Sequence, residues 1–292
     1  AMQGIRQAEV GLGETVVVIG LGLVGQITMQ LLKAAGITPI GIDIDQNAVD
    51  LAKKCGFEYA FNRNTPDLDK IIFDKTRQYG ADSIIITAAT SSNEPVEFAG
   101  IIARQKAKVV IVGAVPTGFS RKNYYRKELD LRMSCSYGPG RYDDNYEMKG
   151  IDYPIGYVRW TENRNMQAFV DLLYSGKLNL QPLITHQFKF EQAKDAYQII
   201  VNKTEPFCGI VLEYDTQKKL NSSISIKPID QKSNVKIGFI GAGNFAQNFL
   251  LPNLKNLPVS LVGVATARPH NAKNIAQKFG FSQAFSSAED II

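Results

Sequence analysis

The sequence predicts an α/β protein, a doubly wound parallel sheet followed by the opening of a second unit of the same kind. Three observations carry that prediction. From Glu14 onward, short β-branched runs alternate with amphipathic stretches, the pattern of strands joined by crossover helices. The runs are almost continuously apolar, as strands covered by helices on both faces must be. Glycine-rich loops then stand twice between a strand-like run and a helix-like one, at 20–25 and again at 241–246.

Taken in order, "TVVVIG", "TPIGID", "DSIIITA" and "AKVVIVGA" read as strands. Between them, "VGQITMQLLKAAG" reads as a helix ending at Gly36, and "DQNAVDLAKKCG" and "NEPVEFAGIIARQ" as two more. A further strand is expected within 129–137, then a long irregular excursion rich in Tyr, Gly, Arg and Asp. Order returns with "NMQAFVDLLYSGKL", "FEQAKDAYQIIVN" and the strand-like "CGIVLEY". Residues 215–234 are polar and sparse in large apolar side chains, hence a linker. The βαβ pattern resumes with "VKIGFIG", a helix around 245–254, "VSLVGVA" and a helix around 271–279. The expected organisation is therefore 1–214, a linker at 215–234, and an incomplete unit at 235–292 with at most two strands and two helices. Such a piece would keep an open sheet edge and half a core.

Composition excludes several classes. The net charge of +5 is gathered in residues 215–292, which hold nine Lys/Arg against four Asp/Glu. No like-charge block or basic stripe with interleaved aromatics points to nucleic acid. Three separated cysteines (Cys55, Cys135, Cys208) and two histidines (His186, His270) write neither a disulfide framework nor a zinc cluster, so the cysteines are expected to be reduced and no metal is expected in this chain. No apolar run approaches the roughly 20 residues that span a bilayer, and the N-terminus lacks a signal-peptide pattern. No membrane partner and a cytoplasmic location are expected.

Chemistry is written in the loops. "VVVIGLGLVG" places Gly20, Gly22 and Gly25 as G-x-G-x-x-G, with Leu23 and Val24 opening the helix. Such glycines give a tight turn, backbone access for a pyrophosphate and close helix–strand packing, while the free N–H groups of the helix start face negative charge. This is the signature of the dinucleotide-binding Rossmann fold. Asp43 ends the second strand 18 residues after Gly25, near the offset of about 20 at which an acid binds the adenosine ribose and repels a 2′-phosphate, favouring NAD(H). A cap role for Asp43 with Asp45 at the next helix is the alternative.

On these residues, residues 4–214 resemble the cofactor-binding half of the zinc-type alcohol dehydrogenases, the medium-chain dehydrogenase/reductase superfamily. The resemblance implies hydride transfer to or from an alcohol. It places Thr87, Ala88, Val112 and Gly113 beside the cofactor and implies a homodimer. A complete family member also has a separate catalytic domain with most zinc ligands, which is missing here. No catalytic acid, base or metal ligand is therefore assigned, and the chain alone is expected to be inactive, a fragment of a longer enzyme. In the excursion, Arg141 and Arg159 could bind a carboxylate or phosphate, and Tyr137, Tyr142 and Trp160 could stack on a sugar ring, or the whole could be a folded subunit contact.

The second loop, "KIGFIGAGNFAQ", supplies Gly241, Gly243 and Ala246. Through 281 it resembles the opening of the glucose-fructose oxidoreductase and inositol dehydrogenase family. Its second strand ends in "ATARPHNA", so Thr266 and Arg268 stand at the ribose position, compatible with NADP(H) or with a solvated helix start. Together the two resemblances imply a piece of a bacterial two-module oxidoreductase with a small-molecule substrate, a sugar or sugar derivative. The rival reading is a non-catalytic nucleotide-binding or assembly module.

Overall fold

The computed structural model describes residues 1–217, 221–228, 234–254 and 257–292, so residues 218–220 and 229–233 of the expected linker lie outside the described residues. The chain divides into two compact units, Ala1–Tyr214 and Asp215–Ile292.

The first unit opens with α1 (Met2–Ala8), which the sequence pattern did not announce, and continues through β1 (Thr15–Ile19), α2 (Leu23–Ala34), β2 (Thr38–Asp43), α3 (Gln46–Lys54) and β3 (Ala60–Asn62). The second half of the sheet follows as α4 (Leu68–Lys75), β4 (Ala81–Ile86), α5 (Glu94–Ile102), β5 (Ala103–Ile111), α6 (Arg121–Lys127) and β6 (Asp130–Met133). Six parallel strands lie in the order β3-β2-β1-β4-β5-β6. β1 is central, Val17 pairing with Ile40 on one side and Ile84 on the other.

Alternation along these strands feeds two cores. Val17, Ile40, Ile84 and Val109 face one side and pack against Ile72 of α4, Phe98 of α5 and Tyr124 of α6. Val16, Val18, Ile85 and Val110 face the other and pack against Ala8 of α1, Met29 and Leu32 of α2, and Val49 of α3. Apolar residues on both faces are thus explained by helices on both faces. Arg132 of β6 fastens α1 by donating to the Gln7 carbonyl at 2.9 Å and pairing with Glu9 at 2.7 Å.

Beyond β6 the excursion holds one short helix, α7 (Asp144–Glu147), before α8 (Glu162–Tyr174). A separate parallel pair then forms from β7 (Ile184–Lys189) and β8 (Gly209–Glu213), linked through α9 (Ala193–Asn202).

The second unit has more sheet than the sequence suggested. Its order is β10-β11-β12-β9, from β9 (Ser223–Ser225), β10 (Lys236–Ile240), β11 (Ser260–Ala265) and β12 (Gln283–Phe285). The first three in that order run parallel, and β9, drawn from the stretch read as linker, adds antiparallel to β12. The limit of two strands within 235–292 is therefore corrected to three, and β9 from the stretch read as linker makes the fourth of the sheet; both extra strands are three residues long, too short to show a period. A π-helical turn (Ala246–Leu250) runs into α10 (Leu251–Leu254), and α11 (Pro269–Phe279) covers a small core of Leu251, Val264, Ile275 and Phe281. No helix among the described residues is long and apolar enough to cross a membrane.

Candidate functional site

Strand order in the first sheet reverses between β1 and β4, and an open α/β sheet has its crevice outside the carboxyl ends of the strands at such a switch. A cleft of about 710 Å³ lies there, lined among others by Gly20, Gly22, Asp43, Arg63, Thr87 and Glu94.

The three glycines of the first loop meet different demands. Gly20 has φ +102°, and a methyl group on it would stand 2.5 Å from the Ala88 nitrogen. On Gly25 a methyl would lie 1.9 Å from the Gly20 carbonyl oxygen, so helix and strand approach closely because no side chain intervenes. Gly22 differs: its φ of −64° suits any residue, and a methyl there would meet nothing within 4 Å. That space is open cleft. Gly22 caps α2 without a side chain, so the first-turn N–H groups of Leu23, Val24 and Gly25 keep no intrahelical acceptor and are free for an anion. Leu23 and Val24 are each 42% exposed and neither lines the cleft, so what they present at the loop is backbone N–H.

Asp43 sits at the end of β2. Its Oδ2 accepts the Leu21 N–H at 2.6 Å and its Oδ1 the Asp45 N–H at 2.8 Å. A carboxylate offers about four acceptor sites, so Asp43 keeps acceptor capacity beyond these two bonds. The capping role belongs to Asp45, whose side chain accepts the Asn47 N–H at 2.9 Å as N-cap of α3. Beyond Asp43, Ile44 lines the cleft and is 76% exposed, an apolar surface beside the carboxylate.

Thr87 and Ala88 reach the cleft as expected from strand ends. Thr87 also braces the loop, its hydroxyl donating to the Gly20 carbonyl at 2.6 Å. Val112 and Gly113 are not among the cleft-lining residues. Val112 turns toward α1, where a methyl on Gly4 would come 2.6 Å from it, and Gly113 backs onto Ala88, where a methyl would come 2.1 Å from the Ala88 oxygen. Placement from a strand end cannot tell the two faces apart, since successive side chains alternate.

One supporting residue escaped sequence reasoning. Gln26 follows the last glycine, is fully buried, and donates to the Leu21 and Ala48 carbonyls at 3.0 and 2.8 Å. Gln247 follows Ala246 in the second loop and likewise donates to the Ala242 carbonyl at 3.1 Å. The recurrence of Gln at the same offset was the available signal.

The second loop borders its own cleft of about 530 Å³, with Gly241, Gly243, Gln247, Thr266, Arg268 and Asn271 in its walls and no acid among its lining residues. Gly241 has φ +85°, and a methyl on Gly243 would meet nothing within 4 Å, as at Gly22. The buried Ala246 lies behind the loop rather than in the cleft. Arg268 is the N-cap residue of α11, and its carbonyl accepts the Thr266 hydroxyl at 2.7 Å.

The excursion is knitted to itself. Arg141 pairs with Glu147 and lies 4.5 Å from the Tyr142 ring and 5.8 Å from that of Tyr137. Trp160 receives Arg6 at 3.6 Å and Arg159 at 3.9 Å. Burial, and then Arg159, lower the pKa of Arg6. None of the five residues singled out in the sequence lines either cleft. Among the described residues no three His, Cys, Asp or Glu side chains gather as metal ligands.

A glycine loop, a ribose-position acid and a switch-point cleft define the first unit as a dinucleotide-binding domain of the dehydrogenase class. Comparison with known proteins narrows this. Residues 24–148 match the family described as zinc-binding dehydrogenase. D-guloside 3-dehydrogenase of Escherichia coli K12 is 30% identical over 212 residues, 70% of this chain and 55% of that protein. Probable D-xylulose reductase A of Emericella nidulans is 30% identical over 208 residues, 68% of this chain and 50% of that protein. Among solved structures, L-idonate 5-dehydrogenase from E. coli superposes with TM-score 0.55 at 19% identity, covering 72% of this chain and 53% of that one, which shows the fold. The first unit is thus similar to the cofactor-binding domain of the medium-chain dehydrogenase/reductase superfamily. The chain spans about half the length of the curated relatives it matches.

Proposed function

We propose that the first unit grips NAD(H) for an oxidoreductase acting on the carbinol of a sugar or polyol, with this chain orienting the cofactor rather than supplying catalytic groups. The observation that carries the reading is Asp43 beside the open face of Gly22, an acid placed to accept two ribose hydroxyls and to repel a 2′-phosphate. Leu23, Val24 and Gly25 would hold the pyrophosphate through their N–H groups, and Thr87 and Gln26 keep the loop in shape to do so. When bound, the nicotinamide supplies the hydride chemistry. The polyhydroxylated substrate class rests on relatives named for a guloside and for xylulose.

For the second cleft we infer NADP(H): Arg268 stands where the first unit has Asp43, and no acid lines the walls. The resemblance of this unit to the glucose-fructose oxidoreductase and inositol dehydrogenase family supports the reading. A homodimer in the cytoplasm completes it; Cys55, Cys135 and Cys208 are free thiols, in keeping with a reducing compartment.

The test is competition. NADH bound to the full chain should be displaced by 5′-AMP and ADP-ribose, which carry the groups that Asp43 and the loop recognise, and not by nicotinamide mononucleotide. Displacement by the mononucleotide alone would reject this site. Oxidation of a polyol panel by a longer gene product, with this chain alone silent, tests the reaction; sedimentation tests the dimer.

A further inference from the structure

Arg63 poses a problem for a cleft that selects NAD(H). It is the only cationic side chain among the described residues lining that cleft. It also stands beside the ribose acid: Asn62 is the register partner of Asp43, and the Arg63 N–H donates to the Asp43 carbonyl at 2.8 Å. An arginine in this neighbourhood is the residue that accommodates a 2′-phosphate, so Asp43 and Arg63 would pull cofactor choice in opposite directions.

The structure shows where the guanidinium goes instead. Both Nε and Nη2 lie 2.6 Å from Oε1 of Glu94, the first residue of α5, and the guanidinium lies 3.8 Å from the centre of the Phe98 ring. Glu94 also lines the cleft. We propose that Glu94 is a positioning residue that sets the cofactor preference of the first cleft by holding Arg63 against α5, away from the 2′ position. Asp43 then reads the ribose without a competing cation. The inference rests on the reading of this cleft as a nucleotide site.

The pair is part-exposed at both ends, 29% and 45%, and an ion pair so placed contributes little to stability. Loss of Glu94 therefore leaves the fold in place and releases an arginine. The experiment uses the full chain carrying Arg268→Ala, which takes the second cleft out of the contest, and measures NADH and NADPH affinity by fluorescence titration. Glu94→Gln should tighten NADPH about tenfold, the scale of one charge-assisted contact, while NADH stays within about twofold. Adding Arg63→Ala to Glu94→Gln should return NADPH to the starting value, which a merely structural role of Glu94 would not do. An unchanged ratio in Glu94→Gln, or a gain that survives Arg63→Ala, overturns the proposal. A parent chain that binds neither nucleotide overturns the site itself, a different failure from an unchanged ratio.

Discussion

Gly22 and Gly25 stand three residues apart and should answer substitution in opposite ways. At Gly25 a methyl meets the Gly20 carbonyl at 1.9 Å, so Gly25→Ala should cost about 1–3 kcal/mol, the range for overpacking, read by urea unfolding. At Gly22 a side chain enters the open cleft. Gly22→Val should leave unfolding nearly unchanged and weaken NADH binding at least about tenfold, since the backbone approach that the loop exists to give is lost. Tyr124 makes a pH prediction. Burial, and then Glu97, raise its pKa above the ordinary 10.0, and its hydroxyl donates to the Val96 carbonyl at 2.9 Å. The folded state holds the phenol proton more tightly, so this stability is complete below pH 10 and lost as pH rises toward the folded pKa. Tyr124→Phe, less stable at neutral pH by about 1 kcal/mol, should not share that alkaline loss in denaturant midpoints measured from pH 8 to 11. The glycines and Asp43 were legible because a fixed spacing carries their meaning. Arg63 and Glu94 were not, because 31 residues separate them and only the topology joins the end of β3 to the start of α5.

At the scale of elements, legibility followed length and apolar content. β1, β2, β4 and β5 were readable as buried runs, and α2 and α3 by their faces. α1 was not read: it has seven residues and takes its place from what it covers, Gly4 against Val112 and Gln7 under Arg132. β3 and β9 are three residues each, defined by partners and not by pattern. The helix expected over 93–105 ends at Ile102 because β5 begins at Ala103 without an intervening loop. Edge position separates the two glycine-loop strands. β1 is paired on both sides and its Val16, Val17 and Val18 are fully buried, whereas β10 pairs only with β11 among the described residues and Ile240 is 52% exposed. Native-state hydrogen exchange should therefore be slower in β1 than in β10 by at least about a hundredfold, since protection tracks burial and local opening energy. Equal protection would mean that the open edge of β10 is covered.

At the scale of the molecule, each unit has a cleft beside its glycine loop, with Asp43 lining the first and Arg268 the second. The chain's single tryptophan, Trp160, lies in the first unit and so reports that unit's unfolding alone. A ligand present at a hundred times its dissociation constant adds about 2.7 kcal/mol to the unit that binds it. Saturating NADH should therefore raise the Trp160 fluorescence melting transition. The proposed function of the first unit turns on Asp43 reading the cofactor in the first cleft. Its most direct test is a calorimetric titration of NADH into the full chain and into Asp43→Ala. NADH should bind the parent chain saturably and at least about tenfold more weakly in the variant; unchanged affinity, or no binding to the parent chain, would contradict a cofactor role for Asp43.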